Sequence, residues 1–335
     1  MTDPDGHARS PVRHRRVTED EAGMRLDRLL HRELPDLPIS ALQRLLRSGQ
    51  VRVDGRRVKG GERLVPGQEV RIPPLRLATD THADRAETRQ TPSDAWSLAL
   101  ADRICYQDAH LLVLDKPAGV PVHGGSGQPW GLIDGVRRMQ ELRNGLVPEL
   151  CHRLDKDTSG CLIFGLDPLT VRTMATAFRD GTVEKRYLLL VHKTLSPMAG
   201  EIIAPLVRGQ TRSGERMVAA SDAGKPARTR YRTLAHGNGV SLVEAKPDTG
   251  RTHQLRVHAQ LRGHPIAGDP KYGDREFNRR MRALGLRRMF LHAAQVRLAH
   301  PRTGQPLALA APLGQELQNL LERLQLANAH PPDEA

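Results

Sequence analysis

Residues 75–98 interrupt the hydrophobic rhythm of this chain. The stretch ATDTHADRAETRQTPSD within it is polar, rich in Thr, Asp and Ala, and repeats apolar residues at neither strand nor helix spacing. Such a stretch reads as a flexible linker. It divides the 335 residues into a small unit, 21–74, and a large one, 99–325. Tails at 1–20 and 326–335 are expected to be disordered; the first is basic and lacks the apolar core of a secretory signal. A linker of this kind lets a small module and a larger domain grip different parts of one target.

In the small unit Leu26, Leu29, Leu30 and Leu34 fall at i, i+3, i+4 and i+8, one apolar stripe of a helix. Arg25, Arg28 and Arg32 lie off that stripe. A second helix is expected with Ser40 as N-cap, Leu42, Leu45 and Leu46 as its inner face and Gly49 as its stop. VRVDGRRV alternates apolar and polar residues around Asp54-Gly55, a hairpin signal. Residues 24–74 carry 11 basic and 6 acidic side chains.

The large unit opens with ICY, QDAH and LLVLDKP, which read as a hairpin ending in a buried strand. Asp167 caps a helix with Pro168 at its first position, Val171, Met174 and Phe178 facing inward, and Gly181 at its end. EKRYLLLVH and VSLVEAK read as strands, with Tyr187, Leu189 and Val191 on one face. THQLRVHAQLRG reads as a helix that pairs Leu255 with Ala259 and Val257 with Leu261. Leu313, Leu317, Leu320, Leu321 and Leu324 mark a closing amphipathic helix. Strands outnumber helices and many are joined by short turns. The fold class is therefore α+β with a mixed, mostly antiparallel sheet.

Charge narrows the partners. Lys plus Arg number 51 against 38 Asp plus Glu, a formal +13. The excess favours a polyanion, nucleic acid before membrane, although a basic soluble protein would show it too. No run of 18 apolar residues exists to cross a membrane. Cys105, Cys151 and Cys161 have no C-x-x-C spacing, so neither a disulfide framework nor a zinc cluster is indicated and a reducing cytosol is expected.

Several chemistries lack their residues. There is no H-E-x-x-H, and GGSGQPWG matches neither a dinucleotide fingerprint nor a Walker loop. Ser159 sits in D-T-S-G rather than G-x-S-x-G. Asp157-Thr158-Ser159 and Asp248-Thr249-Gly250 both imitate the aspartic protease signature. However, Arg153, Lys156 and Arg251 crowd them and would keep both carboxylates ionised, which a proton-sharing dyad does not allow. Asp155 remains, between Leu154 and Lys156. A carboxylate among cations stays charged and can act as nucleophile or stabilise a cation. Taken alone, LDKD reads better as a solvated surface turn.

It is not alone. LDKPAGVPVHGGSG (114–127), HRLDKDTSG (152–160), EKRYLLLV (184–191), TGRTHQLRVHAQLRGHPIAGDPKYGD (249–274) and LHAAQVRLAHPRTG (291–304) occur in that order. These five blocks resemble the RluA family of pseudouridine synthases, whose catalytic motif is H-R-L-D-x-x-T-S-G. The two helices and SGQVRVDG turn of residues 21–74 resemble the S4 (αL-type) RNA-binding domain. The resemblance spans roughly residues 20–315. It implies isomerisation of uridine to pseudouridine at several positions of 23S ribosomal RNA, free or in an assembling subunit. The base would be flipped out, the C–N glycosidic bond cut and a C–C bond formed, with no cofactor and no metal.

The resemblance also implies roles. Asp155 would be the catalytic aspartate, Arg251 its ion-pair partner, and Tyr187 a ring that stacks on uracil and relays the C5 proton. Leu255 would pack beneath the site. His152 and Arg153 would contact or position RNA, and Arg25, Arg28, Arg44 and Arg47 would lie along its backbone. A cytoplasmic monomer without membrane attachment is expected. A non-catalytic RNA-binding factor of the same fold is the alternative, and the joint presence of Asp155, Tyr187 and Arg251 speaks against it.

Overall fold

The structure, a computed structural model, describes residues 11–34, 37, 42, 45–58, 60–74, 91–124, 129–210 and 216–326. The chain divides into two compact units between Arg89 and Gln90.

The N-terminal unit begins with a strand that the sequence hid. β1, Arg13–Arg16, runs antiparallel to β4, Glu69–Ile72, pairing Arg13 with Ile72 and Arg16 with Glu69. The expected tail at 1–20 is therefore corrected: residues 13–16 belong to a sheet and Val17 is buried in the core. Backbone hydrogen bonds rather than apolar alternation make this strand. Its Arg15 is tied to Glu21 at 2.8 Å and Glu33 at 3.2 Å. Glu21 is itself buried and also holds Arg32.

The leucine stripe becomes α1, Leu26–Glu33, with Leu26, Leu29 and Leu30 fully enclosed. Leu42, Leu45 and Leu46 pack on the same core, and Gly49 takes the left-handed φ of 70° that ends many helices. β2, Arg52–Val53, and β3, Arg56–Arg57, form the expected hairpin. Asp54 and Gly55 turn it with φ of 47° and 75°, the type I′ geometry that Asp-Gly favours. The order β1-β4-β2-β3 completes a four-stranded sheet. Ser40 and Arg44 lie outside the described residues.

The second unit also starts earlier than expected. Residues 94–98 fall in the expected linker, yet α2, Asp94–Ala99, is a helix capped by Ser93, whose hydroxyl accepts from the Trp96 amide at 3.2 Å. Its Trp96 packs on Trp130, ring centres 4.8 Å apart. Arg138 forks onto Asp94 at 2.7 and 3.0 Å. One well-placed aromatic and a cap outweigh the polar composition around them. At the other end Leu326 is buried in a core, so the expected tail begins no earlier than residue 327.

The centre of this unit is a ten-stranded sheet. β5, Ile104–Gln107, and β6, Leu111–Lys116, lie at one edge. β7, Glu149–Leu150, and β8, Ser159–Gly165, follow α3, Leu132–Leu142. α4, Pro168–Asp180, has the expected Asp167 cap at 2.9 Å and Gly181 stop. Then come β9, Glu184–His192, and β10, Ala199–Ile203. β11, Leu206–Gln210, and β12, Arg216–Ala220, make a separate two-stranded ribbon. β13, Arg228–Gly237, and β14, Val240–Pro247, precede α5, Gln254–Leu261. α6, Arg275–Ala283, β15, Leu291–Ala299, β16, Pro306–Ala310, and α7, Gln315–Arg323, close the chain.

The sheet order is β10-β13-β14-β9-β15-β8-β6-β5, with β16 paired to β15 and β7 to β8, and β8 with β15 is its parallel pair among otherwise antiparallel neighbours. α5 covers one face with Leu255 and Ala259 against Leu189, Val191 and Val243. α6 and α7 cover the other with Phe277, Met281, Leu317, Leu320 and Leu321 against Leu190 and Leu242. The expected pairing of Val257 with Leu261 does not occur: Val257 is buried, but Leu261 is 53% exposed at the last turn of α5.

Candidate active site

The parallel junction brings the motif blocks together. Gly160 of β8 pairs with Ala293 of β15, and Ala293 pairs with Tyr187 of β9. Gly160 has φ of 107°, and a Cβ there would sit 2.2 Å from the Ala293 carbonyl oxygen. Only glycine permits that approach. The loop 151–158, which leads into β8, is thereby delivered beside Tyr187.

That loop is fixed from below by Lys116. Its side chain is fully buried and its Nζ donates to the carbonyls of Pro117 at 2.8 Å, Lys156 at 2.9 Å and Thr158 at 2.8 Å. Three acceptors match the three hydrogens of an ammonium. Burial pushes its pKa down to about 7, against the upward pull of Asp157 and Asp155.

A cleft of about 340 Å³ opens above the loop, within the ordinary range of ligand sites. Asp155, Tyr187, Leu255, His152, Arg153 and Arg251 all line it, so the six residues expected in this unit do converge. Asp155 keeps 23% of its side chain exposed. Tyr187 has its pKa raised, first by burial and then by the charge of Asp155, so it stays a phenol.

The guanidinium beside Asp155 is not the expected one. Arg251 lies before α5 and its Nε donates to the Pro226 carbonyl at 3.0 Å. Arg256, inside α5, places Nη1 3.9 Å from Asp155 Oδ2. The local reason is the entry to the helix. His253 takes a left-handed φ of 54°, and the Gln254 side chain accepts from the Arg251 amide at 3.0 Å. This turn ends the preceding segment and sends Arg251 outward, while Arg256 points in between Leu255 and Val257. The sequence carried a signal for it, an arginine between two apolar residues on a buried helix, which requires a partner.

Arg256 is 5% exposed and forks onto Asp269, Nε to Oδ2 and Nη2 to Oδ1, both 2.7 Å. The Tyr272 ring lies 5.0 Å from its guanidinium carbon. Tyr272 accepts from the Val218 amide at 3.0 Å and shares a 2.8 Å hydrogen bond with His253. Lys185, two residues before Tyr187 on β9, also lines the cleft, and burial lowers its pKa. None of these was singled out from sequence.

His152 is less a contact than a strut. Its Nε2 accepts from the Ile163 amide at 3.1 Å and its ring stacks on Phe178 at 4.4 Å. Burial, then the charge of Lys185, lowers its pKa to about 3, so the ring is neutral. Arg153 is exposed at the rim. The protease-like Asp248 is held by Arg230 at 2.7 Å and Arg228 at 3.5 Å. No group of three His, Cys, Asp or Glu suited to a metal occurs among the described residues.

In the N-terminal unit, Arg28 and Arg47 line one hollow with Asp27, His31 and Leu46. Arg25 does not line it and instead forks onto Asp27, Nη2 to Oδ2 at 2.6 Å. No helix among the described residues is long and apolar enough to cross a membrane.

Comparison with known proteins is consistent with this geometry. A family model described as RNA pseudouridylate synthase matches residues 110–261, and one for the S4 domain matches 24–70. Ribosomal large subunit pseudouridine synthase C of Escherichia coli is 43% identical over 313 residues, covering 93% of this chain and 96% of that protein. The enzyme of the same description from Yersinia pestis is 42% identical over 305 residues, 91% and 93% of the two chains. Among solved structures, Human RNA Pseudouridylate Synthase Domain Containing 4 superposes with a TM-score of 0.59 at 29% identity, over 69% of this chain and 96% of that one. Domain Containing 1 gives 0.53 at 28% identity, over 68% and 96%. The chain belongs to the RNA pseudouridylate synthase family, in a form that carries an S4 domain ahead of its catalytic unit.

Proposed function

We propose that this chain isomerises uridine to pseudouridine in the 23S RNA of the large ribosomal subunit, at several uridines. The observation that carries the reading is one cleft holding a partly buried carboxylate, Asp155, against a phenol, Tyr187, and a locked guanidinium, Arg256. The near full-length similarity to large-subunit enzymes supports the choice of RNA.

A uridine within folded RNA hides its sugar–base junction, so it must be turned out into the cleft, at a cost of a few kcal/mol. Arg153 at the rim and Arg251 and Arg208 along the wall supply cations for the flanking phosphates. Leu255 forms the apolar floor, and the Tyr187 ring offers a face for the uracil. Asp155 then acts at the sugar–base junction. The N1–C1′ bond breaks, the base turns, C5 bonds to C1′, the C5 proton leaves and N1 gains one. The product is an isomer of the substrate, so the balance needs no oxidant and no co-substrate. A phenol held protonated serves the C5 proton as a relay rather than as a standing base.

Arg28 and Arg47 of the N-terminal unit grip RNA phosphates without reading sequence. The residues assigned to the cleft all come from one chain, in keeping with a monomer. A ribosomal substrate and the buried free thiols Cys151 and Cys161 support a cytoplasmic site of action. The test is to map pseudouridine in large-subunit RNA from cells with and without the gene. Loss of defined sites, restored by wild type and not by Asp155→Ala, is expected; an unchanged map would overturn the proposal.

A further inference from the structure

We infer that Asp269 is a positioning residue for the reaction: it holds the Arg256 guanidinium so that one edge faces Asp155 without closing on it. The inference rests on the reading of Asp155 as the catalytic carboxylate.

A guanidinium has five N–H groups in a fixed plane. Asp269 takes two of them, on the edge formed by Nε and Nη2, at 2.7 Å each. The Tyr272 ring covers a face. What remains toward the cleft is Nη1, 3.9 Å from Asp155 Oδ2. That separation is an ion pair without a hydrogen bond. An arginine and a carboxylate left to themselves prefer the parallel fork. A fork on Asp155 would occupy the oxygens that must reach the sugar–base junction. Asp269 already holds that fork, which leaves Asp155 faced by a cation and open.

Asp269 is built for this and for nothing nearer the substrate. Its side chain is fully enclosed and is not part of the cleft wall. Its Oδ1 also accepts from the amides of Lys271 at 2.8 Å and Tyr272 at 3.0 Å. Its carbonyl accepts from Asn278 at 2.9 Å. The carboxylate therefore cannot turn, and neither can the guanidinium clamped to it. Stability alone does not call for such a pair, because apolar residues of the same volume often serve a core as well or better. Orientation does call for it, since a misplacement of about 1 Å near reacting atoms can cost 100-fold in rate.

The test uses the full-length protein and a large-subunit RNA fragment under single turnover. Asp269→Asn is expected to slow the step about 100-fold with RNA affinity unchanged, and Asp269→Glu to recover part of the rate. Arg256→Ala should be rescued by methylguanidinium, because Asp269 still offers the fork. Arg256→Ala combined with Asp269→Asn should not be rescued. In the wild-type protein, which needs no variant to fold, the Arg256 Nε–H resonance should be protected from solvent exchange. Wild-type rates in Asp269→Asn, equal rescue of the single and double variants, or a rapidly exchanging Arg256 Nε–H would each overturn the inference. If Asp155→Ala remained active, the functional reading itself would fail; if Asp155→Ala were dead and Asp269→Asn fully active, only the positioning role would fall.

Discussion

The arginines of the N-terminal unit and Arg256 of the cleft are the same side chain in opposite surroundings. Arg25 is 55% exposed and pairs with Asp27, two residues away on its own segment. Arg28 and Arg47 are exposed on the hollow beside it. Arg256 is 5% exposed and clamped to a carboxylate with no exposure at all. Exposed cations in high dielectric contribute little to one geometry, of the order of 0–1 kcal/mol per pair, but sum into a field that holds a polyanion. A buried cation is screened little and keeps one orientation. The first kind suits grip and the second suits chemistry, and burial alone sorts them.

That division can be broken in four ways. Asp155→Ala carries the largest expected effect: product formation falls by at least about 1000-fold while a filter-binding Kd for RNA moves less than threefold. Turnover persisting in this variant would remove the reactive group from the account. Arg256→Ala should come next, losing on the order of 100-fold in single-turnover rate, whereas Arg251→Ala should chiefly weaken RNA binding. The reverse ranking would restore the sequence-based assignment of Arg251 as partner of Asp155.

Replacing Arg28 and Arg47 together by Ala should leave the rate at saturating RNA intact. It should flatten the plot of log Kd against log salt by between about 1 and 2. A slower step at saturation would mean that the small unit shapes the reaction and not only the grip.

The smallest effect concerns Lys116. Folding lowers its pKa from 10.5 to about 7. Between those values the unfolded chain binds the proton and the folded chain does not. Stability therefore rises with pH through that window, and the cost of burying the ammonium is greatest below pH 7. Melts from pH 6 to 10 should show wild type gaining on Lys116→Met by a few degrees as the pH rises. A constant gap would mean that the three carbonyls hold the ammonium charged throughout.

What was legible in the sequence was local. The leucine stripe of α1, the Asp54-Gly55 turn and the Asp167 cap each need only neighbours within a few residues, and each appears as expected. β1 escaped because its residues are polar and its partner lies 53 or more positions away. The site was legible as a set of motif blocks but not as a geometry. Arg251 and Arg256 share one block, and only the left-handed turn at His253 decides which of them faces Asp155. Asp269 and Lys116 look like ordinary surface charges in GDPKYG and LDKP; their burial comes from the sheet and from α5, which no short window contains.

The most direct measurement is a structure of the protein with an RNA that carries its target uridine. That uridine is expected extruded into the cleft, with an Asp155 oxygen within about 3.5 Å of its C1′ or C6 or of a ribose hydrogen, and Arg256 still clamped by Asp269. A uridine left stacked in the RNA, or an Asp155 carboxylate turned away from the extruded nucleotide, would contradict it.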